Sequence, residues 1–128
     1  MQSPPRILLV EDHTATRWSM AAALGQHGVE VDVAESALEA KRLLDRFGKE
    51  YCCVLLDLIL PDGDGNQIAH HIRENENDVP VLVVTGSPLA TARLTVSEYA
   101  DVVRLIVRKP VDMETLTTSI FALAGRTR

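Results

Sequence analysis

Cysteine, blocks of basic charge and long apolar runs are all scarce in this chain, and each scarcity removes a class of function. Only two cysteines occur, the neighbours Cys52 and Cys53. Successive side chains of a strand point to opposite faces, so no bond between them is expected, and no metal-binding cysteine spacing exists. They read as small core residues. Thirteen Lys and Arg against eighteen Asp and Glu leave a net charge of -5. With no basic stripe, the electrostatic footprint of a nucleic-acid binder is missing and direct DNA binding is not expected. No apolar run approaches the ~20 residues that span a bilayer. The start, "MQSPPR", has neither the charged beginning nor the apolar stretch of a signal peptide. No membrane association and a cytoplasmic location are therefore expected.

What is present suits one domain: 128 residues, 46% of them hydrophobic, enough to bury a substantial core. A single domain over 1–128 is expected, with an ordered core from about residue 5 to about 125 and frayed tails. "RILLV" (6–10), "VEVDVA" (29–34), "CCVLLD" (52–57), "VLVVT" (81–85) and "VRLIV" (103–107) have the length and aliphatic content of strands. Three are nearly continuous apolar runs, as in parallel strands covered on both faces, whereas "VEVDV" alternates and belongs nearer an edge.

Helical patterns fill the gaps. Thr16, Met20, Ala23, Leu24 and His27 make one stripe, stopped by Gly28; Ser36 caps a second helix whose stripe is Ala37, Ala40, Leu44 and Phe47. Ile68, His71 and Ile72 mark a third helix over about 65 to 75, with one of His70 and His71 inward and the other outward. Leu89 to Ala100 is a fourth, and Met113, Leu116, Ile120 and Leu123 a fifth, capped by Asp112. The fold class is α/β: a flavodoxin-like, doubly wound, five-stranded parallel sheet of order 2-1-3-4-5 with five helices.

That order gathers chemistry. Ligands of such sheets bind outside the carboxyl ends of the strands, at the switch point between the first and third. Glu11 and Asp12 follow the first strand and Asp57 ends the third, so three carboxylates meet there. Such a concentration of negative charge calls for a cation or raised pKa values, and an all-oxygen donor set favours Mg²⁺, with Mn²⁺ or Ca²⁺ as substitutes. Thr85, followed by Gly86, and Lys109, followed by Pro110, end the neighbouring strands and suit a phosphoryl group. Asp57 would be its acceptor, since a carboxylate can form an aspartyl phosphate. Each residue has a plainer reading: Glu11 and Asp12 as helix-capping acids, Thr85 as a turn residue, Lys109 as a solvated strand end. Their coincidence in one crevice decides for chemistry. "PDGDG" (61–65) reads as a turn rather than a calcium loop, and His13 as either a tuner of the pocket or a surface residue.

"VED" at 10–12, "LLDLILPDGDG" at 55–65, "VVTG" at 83–86 and "VRKP" at 107–110 stand in the order and near the spacing of the CheY-like receiver domains of two-component response regulators, which the chain resembles over nearly its whole length. The resemblance implies that Asp57 accepts a phosphoryl group from a sensor histidine kinase or a histidine phosphotransfer protein. It also implies that Glu11, Asp12, Asp57 and the main-chain carbonyl of Ile59 organise Mg²⁺, while Thr85 and Lys109 read the phosphorylated state. Such a domain catalyses its own phosphorylation and dephosphorylation and is otherwise no enzyme. Output would pass through an unknown partner, through homodimerisation or through a fused effector domain.

Two departures matter. Receivers usually carry Tyr or Phe three residues before the lysine, where this chain has Ile106, and "YADVV" replaces the small pair before the fifth strand. A modified switch is expected; the alternative is a pseudo-receiver that binds partners independently of phosphorylation. A haloacid-dehalogenase-type phosphatase would need an aspartate where Ile59 stands. Ile59 and Ser87 flank the pocket at places that influence hydrolysis, and an aliphatic Ile59 implies a persistent phosphorylated form. Trp18 projects roughly 160° from the apolar stripe of its helix, which with Arg17 makes it a candidate contact for the phosphoryl donor.

Overall fold

The computed structural model describes residues 3–57, 65–75, 78–86, 88, 89, 92 and 96–126. Five strands, β1 (Arg6–Val10), β2 (Glu30–Ala34), β3 (Cys53–Asp57), β4 (Val81–Thr85) and β5 (Val103–Arg108), form one sheet in the order β2-β1-β3-β4-β5. All four pairings are parallel. The aliphatic runs β1, β3 and β4 occupy the centre, while the alternating β2 takes one edge and the half-exposed β5 the other. This is the expected topology, and it follows from which strands can tolerate cover on both faces.

Alternation along the central strands splits the core in two. Leu8, Val10, Val54, Leu56, Val81 and Val83 face α2 (Ala37–Phe47) and α3 (Gly65–Glu74), meeting Ala40, Leu44, Ile68 and Ile72. Ile7, Leu9, Leu55, Leu82 and Val84 face the other way, onto Leu24 of α1 (Thr14–Gln26) and Leu116 and Ile120 of α4 (Met113–Leu123). The helix ends are set locally. The Ser36 hydroxyl accepts from the Glu39 N–H at 3.2 Å, Asp112 accepts from the Glu114 N–H at 3.1 Å, and Gly28 takes a φ of +83° just past α1.

Several details differ from the sequence reading. Four long helices lie among the described residues, not five. In the predicted fourth segment the Ala92 N–H donates to Pro88 O and the Val96 N–H to Ala92 O, both at 3.0 Å, before a 3-10 turn at Ser97–Tyr99. The rest of that segment lies outside the described residues, as do residues 1–2, 58–64 and 127–128. Cys52 and Cys53 are both free, as expected, but both pack on the α1/α4 side. Cys52 sits at a bend before β3 begins, where strand alternation does not apply. His71 is the half-buried histidine of the pair, 2.6 Å from Asp45 of α2, and His70 is exposed.

Leu24 is fully buried whereas Leu38 of α2 is 55% exposed. Leu24→Ala is expected to lower the unfolding free energy by about 3 kcal/mol, and Leu38→Ala to change it by less than about 0.5 kcal/mol. Urea denaturation followed by circular dichroism measures both.

Candidate functional site

The carboxyl ends of β1 and β3 carry the acidic groups. Glu11 directly follows β1, and its N–H donates to Ala34 O at the end of β2, 3.0 Å away. Its side chain is only 3% exposed. Asp12, next along, is exposed, and Asp57, the last residue of β3, is half-buried. Each offers a carboxylate oxygen within 4.8 Å of the others. The adjacent pair Glu11 and Asp12 and the distant Asp57 thus converge, as their places in the sheet order predicted.

A cation faces them from the other side. Lys109 Nζ lies 3.2 Å from Asp57 Oδ2, and the Lys109 N–H donates to Thr85 O at 2.8 Å. That backbone bond places the lysine at the crevice, because β4 and β5 are in register there, Thr85 opposite Arg108. Thr85 itself is buried. At Gly86 an added Cβ would meet no atom within 4 Å, so the space over the backbone is open. Ile59 and Ser87, the other sequence-predicted members, lie outside the described residues.

Electrostatics follow from burial. The Glu11 carboxyl is pushed up to about 8 from its ordinary 4.5, first by removal from water, then by its hydrogen bond with Asp57 and the negative charges of Asp57 and Asp12; Lys109 opposes the rise. Glu11 Oε2 is buried without a hydrogen-bond partner. A buried, orphaned carboxylate oxygen beside two further carboxylates fits a hard divalent cation, whose charge would supply what the protein groups do not.

Two residues the sequence reading named take roles it did not give them. His13 is the N-cap of α1, its Nδ1 accepting from the Thr16 N–H at 3.3 Å, a role foreshadowed by its place just ahead of the helix. Arg17, expected at the surface beside Trp18, is instead buried: its Nη1 donates to Glu11 O at 3.2 Å and Asp12 O at 3.4 Å. It turns inward because the carbonyls at the end of β1 offer acceptors that a side chain five or six residues on can reach. Trp18 is exposed as predicted, 60% of it accessible.

Fold and crevice together define a flavodoxin-like α/β domain with an acidic pocket at its topological switch point. The chain belongs to the response regulator receiver domain family, whose model matches residues 7–121. It is a CheY-like receiver domain of two-component phosphorelay signalling, a signalling module and not a classical enzyme. It is 33% identical over 125 residues to the transcriptional regulatory protein TrcR of Mycobacterium tuberculosis, a match covering 97% of this chain and 47% of that protein. The response regulator MprA of Mycobacterium leprae is 31% identical over 124 residues, covering 96% of this chain and 52% of that protein. The chain thus spans about half the length of these curated relatives. Among solved structures, the receiver domain of the sensor histidine kinase PA1611 of Pseudomonas aeruginosa, described with a magnesium ion coordinated in its active site cleft, superposes with a TM-score of 0.83 at 27% identity, over 95% of this chain and 98% of that one. Among the described residues no helix is long and apolar enough to cross a membrane.

Between pH 4.5 and about 8 the folded chain holds a proton on Glu11 that the unfolded chain has released. Bound protons are then more numerous in the native state, so its stability falls as pH rises. In chelator, denaturant midpoints are expected to decline from about pH 5 to about pH 8, and the decline is expected to flatten in Glu11→Gln.

Proposed function

We propose that this chain accepts a phosphoryl group on Asp57 from a phosphohistidine of a sensor kinase or phosphotransfer protein and thereby switches its affinity for a partner. The observation that carries this is the Asp57–Lys109 pair at 3.2 Å, set among the other two carboxylates at the switch point. An Asp57 carboxylate oxygen forms the bond to phosphorus, the N–P bond of the donor breaks, and the departing imidazole takes a proton from solvent. Lys109 Nζ, now on Asp57, transfers its contact to a phosphoryl oxygen. The Thr85 hydroxyl donates to another, and the open space over Gly86 leaves the group room.

Glu11, Asp12 and Asp57 would hold Mg²⁺, with the main-chain carbonyl of Ile59 completing the protein's share. Mn²⁺ or Ca²⁺ are substitutes. When bound, the ion offsets negative charge on the phosphoryl oxygens.

The new group adds about -1.5 to -2 charges at the pocket, and biases two conformations only through contacts that differ between them. Thr85 and Lys109 are those contacts, joined by the bond between Lys109 N–H and Thr85 O. Ile106 packs half-buried against the α2/α3 core, in the place where the receiver pattern usually has Tyr or Phe, so the relay onward is a modified one. Aliphatic Ile59 orients no attacking water, which favours a persistent phosphorylated form. Residues 1–128 act as one receiver unit. Its output runs through a partner, a dimer or a fused effector domain, and the same reading makes the domain cytoplasmic.

Donor docking has room beside the pocket. A groove of about 500 Å³ lies between α1 and the turn at Pro110, lined by Thr16, Ser19, Met20, Lys109, Pro110 and Met113. Trp18 is proposed as a donor contact without Arg17, whose guanidinium is occupied inside.

Intact-mass spectrometry after incubation with Mg²⁺ and acetyl phosphate is expected to show one phosphoryl increment in the native chain and none in Asp57→Asn. No increment from acetyl phosphate or from a phosphotransfer protein would instead make the chain a pseudo-receiver. Trp18→Ala is expected to slow transfer from the cognate protein donor several-fold while leaving acetyl phosphate labelling unchanged; equal rates from the protein donor would remove Trp18 from the docking surface.

A further inference from the structure

Arg17 is a buried guanidinium, 7% exposed, that no step above uses. Burying a cation costs several kcal/mol unless its donors are satisfied, so its partners disclose what it is for. Nη1 reaches the main-chain carbonyls of Glu11 and Asp12, at 3.2 and 3.4 Å, and Nη2 lies 3.5 Å from Glu35 Oε2 in the β2–α2 turn. The Trp18 ring stands 6.0 Å from the guanidinium carbon on the solvent side. Both short contacts fall on the backbone of the two adjacent residues whose carboxylates enter the pocket from β1.

We propose that Arg17 is a positioning residue for the cation site: its Nη1, held in place by Nη2 on Glu35, fixes the Glu11–Asp12 backbone so that both side chains converge with Asp57 on a divalent ion. The proposal rests on the metal-binding reading given above. Geometry supports a clamp over a simple charge. Glu11 is already tied on its N–H side to Ala34 O; Arg17 ties the carbonyl side and extends the hold to Asp12, which lies past the end of β1. Holding the two carbonyls with Nη1 while Nη2 faces Glu35 suits a planar, pre-organised guanidinium better than a flexible ammonium. Outer residues that orient metal ligands contribute substantially to affinity in the same manner.

The sign of the effect separates the two accounts. A positive charge behind a cation site repels the ion, so if Arg17 acted through charge alone, removing it would tighten metal binding. A clamp predicts the reverse. The experiment measures Mg²⁺ binding by titration calorimetry and Mn²⁺ binding by electron paramagnetic resonance on the full chain and its Arg17→Met and Arg17→Lys variants. Thermal unfolding in chelator is recorded beside each.

Arg17→Met is expected to weaken binding of both ions about 10-fold while still unfolding cooperatively in chelator, and Arg17→Lys to fall between it and the native chain. Unchanged or tighter binding in a folded Arg17→Met overturns the proposal. Should Arg17→Met fail to fold, Arg17→Lys decides alone: affinity equal to native overturns the clamp, and weakened affinity with an unchanged melting temperature upholds it. A native chain that binds neither ion overturns the metal-binding reading and this proposal together, whereas native binding with insensitive variants overturns only the latter.

Discussion

Mutual repulsion among Glu11, Asp12 and Asp57 is the constraint around which this molecule is arranged. Three carboxylates within 4.8 Å of one another, one of them almost wholly removed from water, oppose folding unless a proton or a cation intervenes. Among the protein's own groups the relief comes from Lys109 against Asp57 and from a Glu11 carboxyl pushed up to about 8 that favours keeping its proton. Both are provisional partners. A carboxyl whose pKa is pushed up to about 8 exchanges its proton close to neutral pH, and an ammonium on a long flexible stem is easily moved.

The backbone around the pocket is, by contrast, held firmly. Glu11 N–H on Ala34 O joins β1 to β2 at their ends, and Lys109 N–H on Thr85 O joins the exit of β5 to that of β4. Arg17 closes the remaining side from within α1. Side-chain pairs set on a hydrogen-bonded frame separate charge from position: the frame fixes where the carboxylates and the ammonium stand.

Away from the pocket, the segment before β5 has its own anchorage. Arg73 of α3 grips the Asp101 carboxylate with Nε at 2.9 Å and with Nη2, and Nη2 also donates to Glu98 O at 3.0 Å. Buried Tyr99 lies between these two anchors. The "YADVV" stretch that departs from the family pattern is therefore an ordered connection. It is tethered to α3, and Ile106 of the next strand packs against the α2/α3 core.

The sheet order, the two-faced core and the convergence of Glu11, Asp12, Asp57, Thr85 and Lys109 were all readable from sequence, because strand burial leaves a period in the chain and parallel connection rules leave few topologies. Ser36, Asp112 and Gly28 were readable for a similar reason: helix ends are governed by groups within a few residues. What the sequence could not disclose depended on distance through space. Arg17 looked like a surface residue because nothing in its neighbourhood along the chain reveals the turned carbonyls it meets. Cys52 fell on an unexpected face because the strand starts one residue later. The burial that raises Glu11 exists only once α1, β2 and β3 enclose it. Periodicity and local capping act along the chain and are written in it; desolvation and convergent charge arise only when the chain closes on itself, and tertiary structure alone decided them.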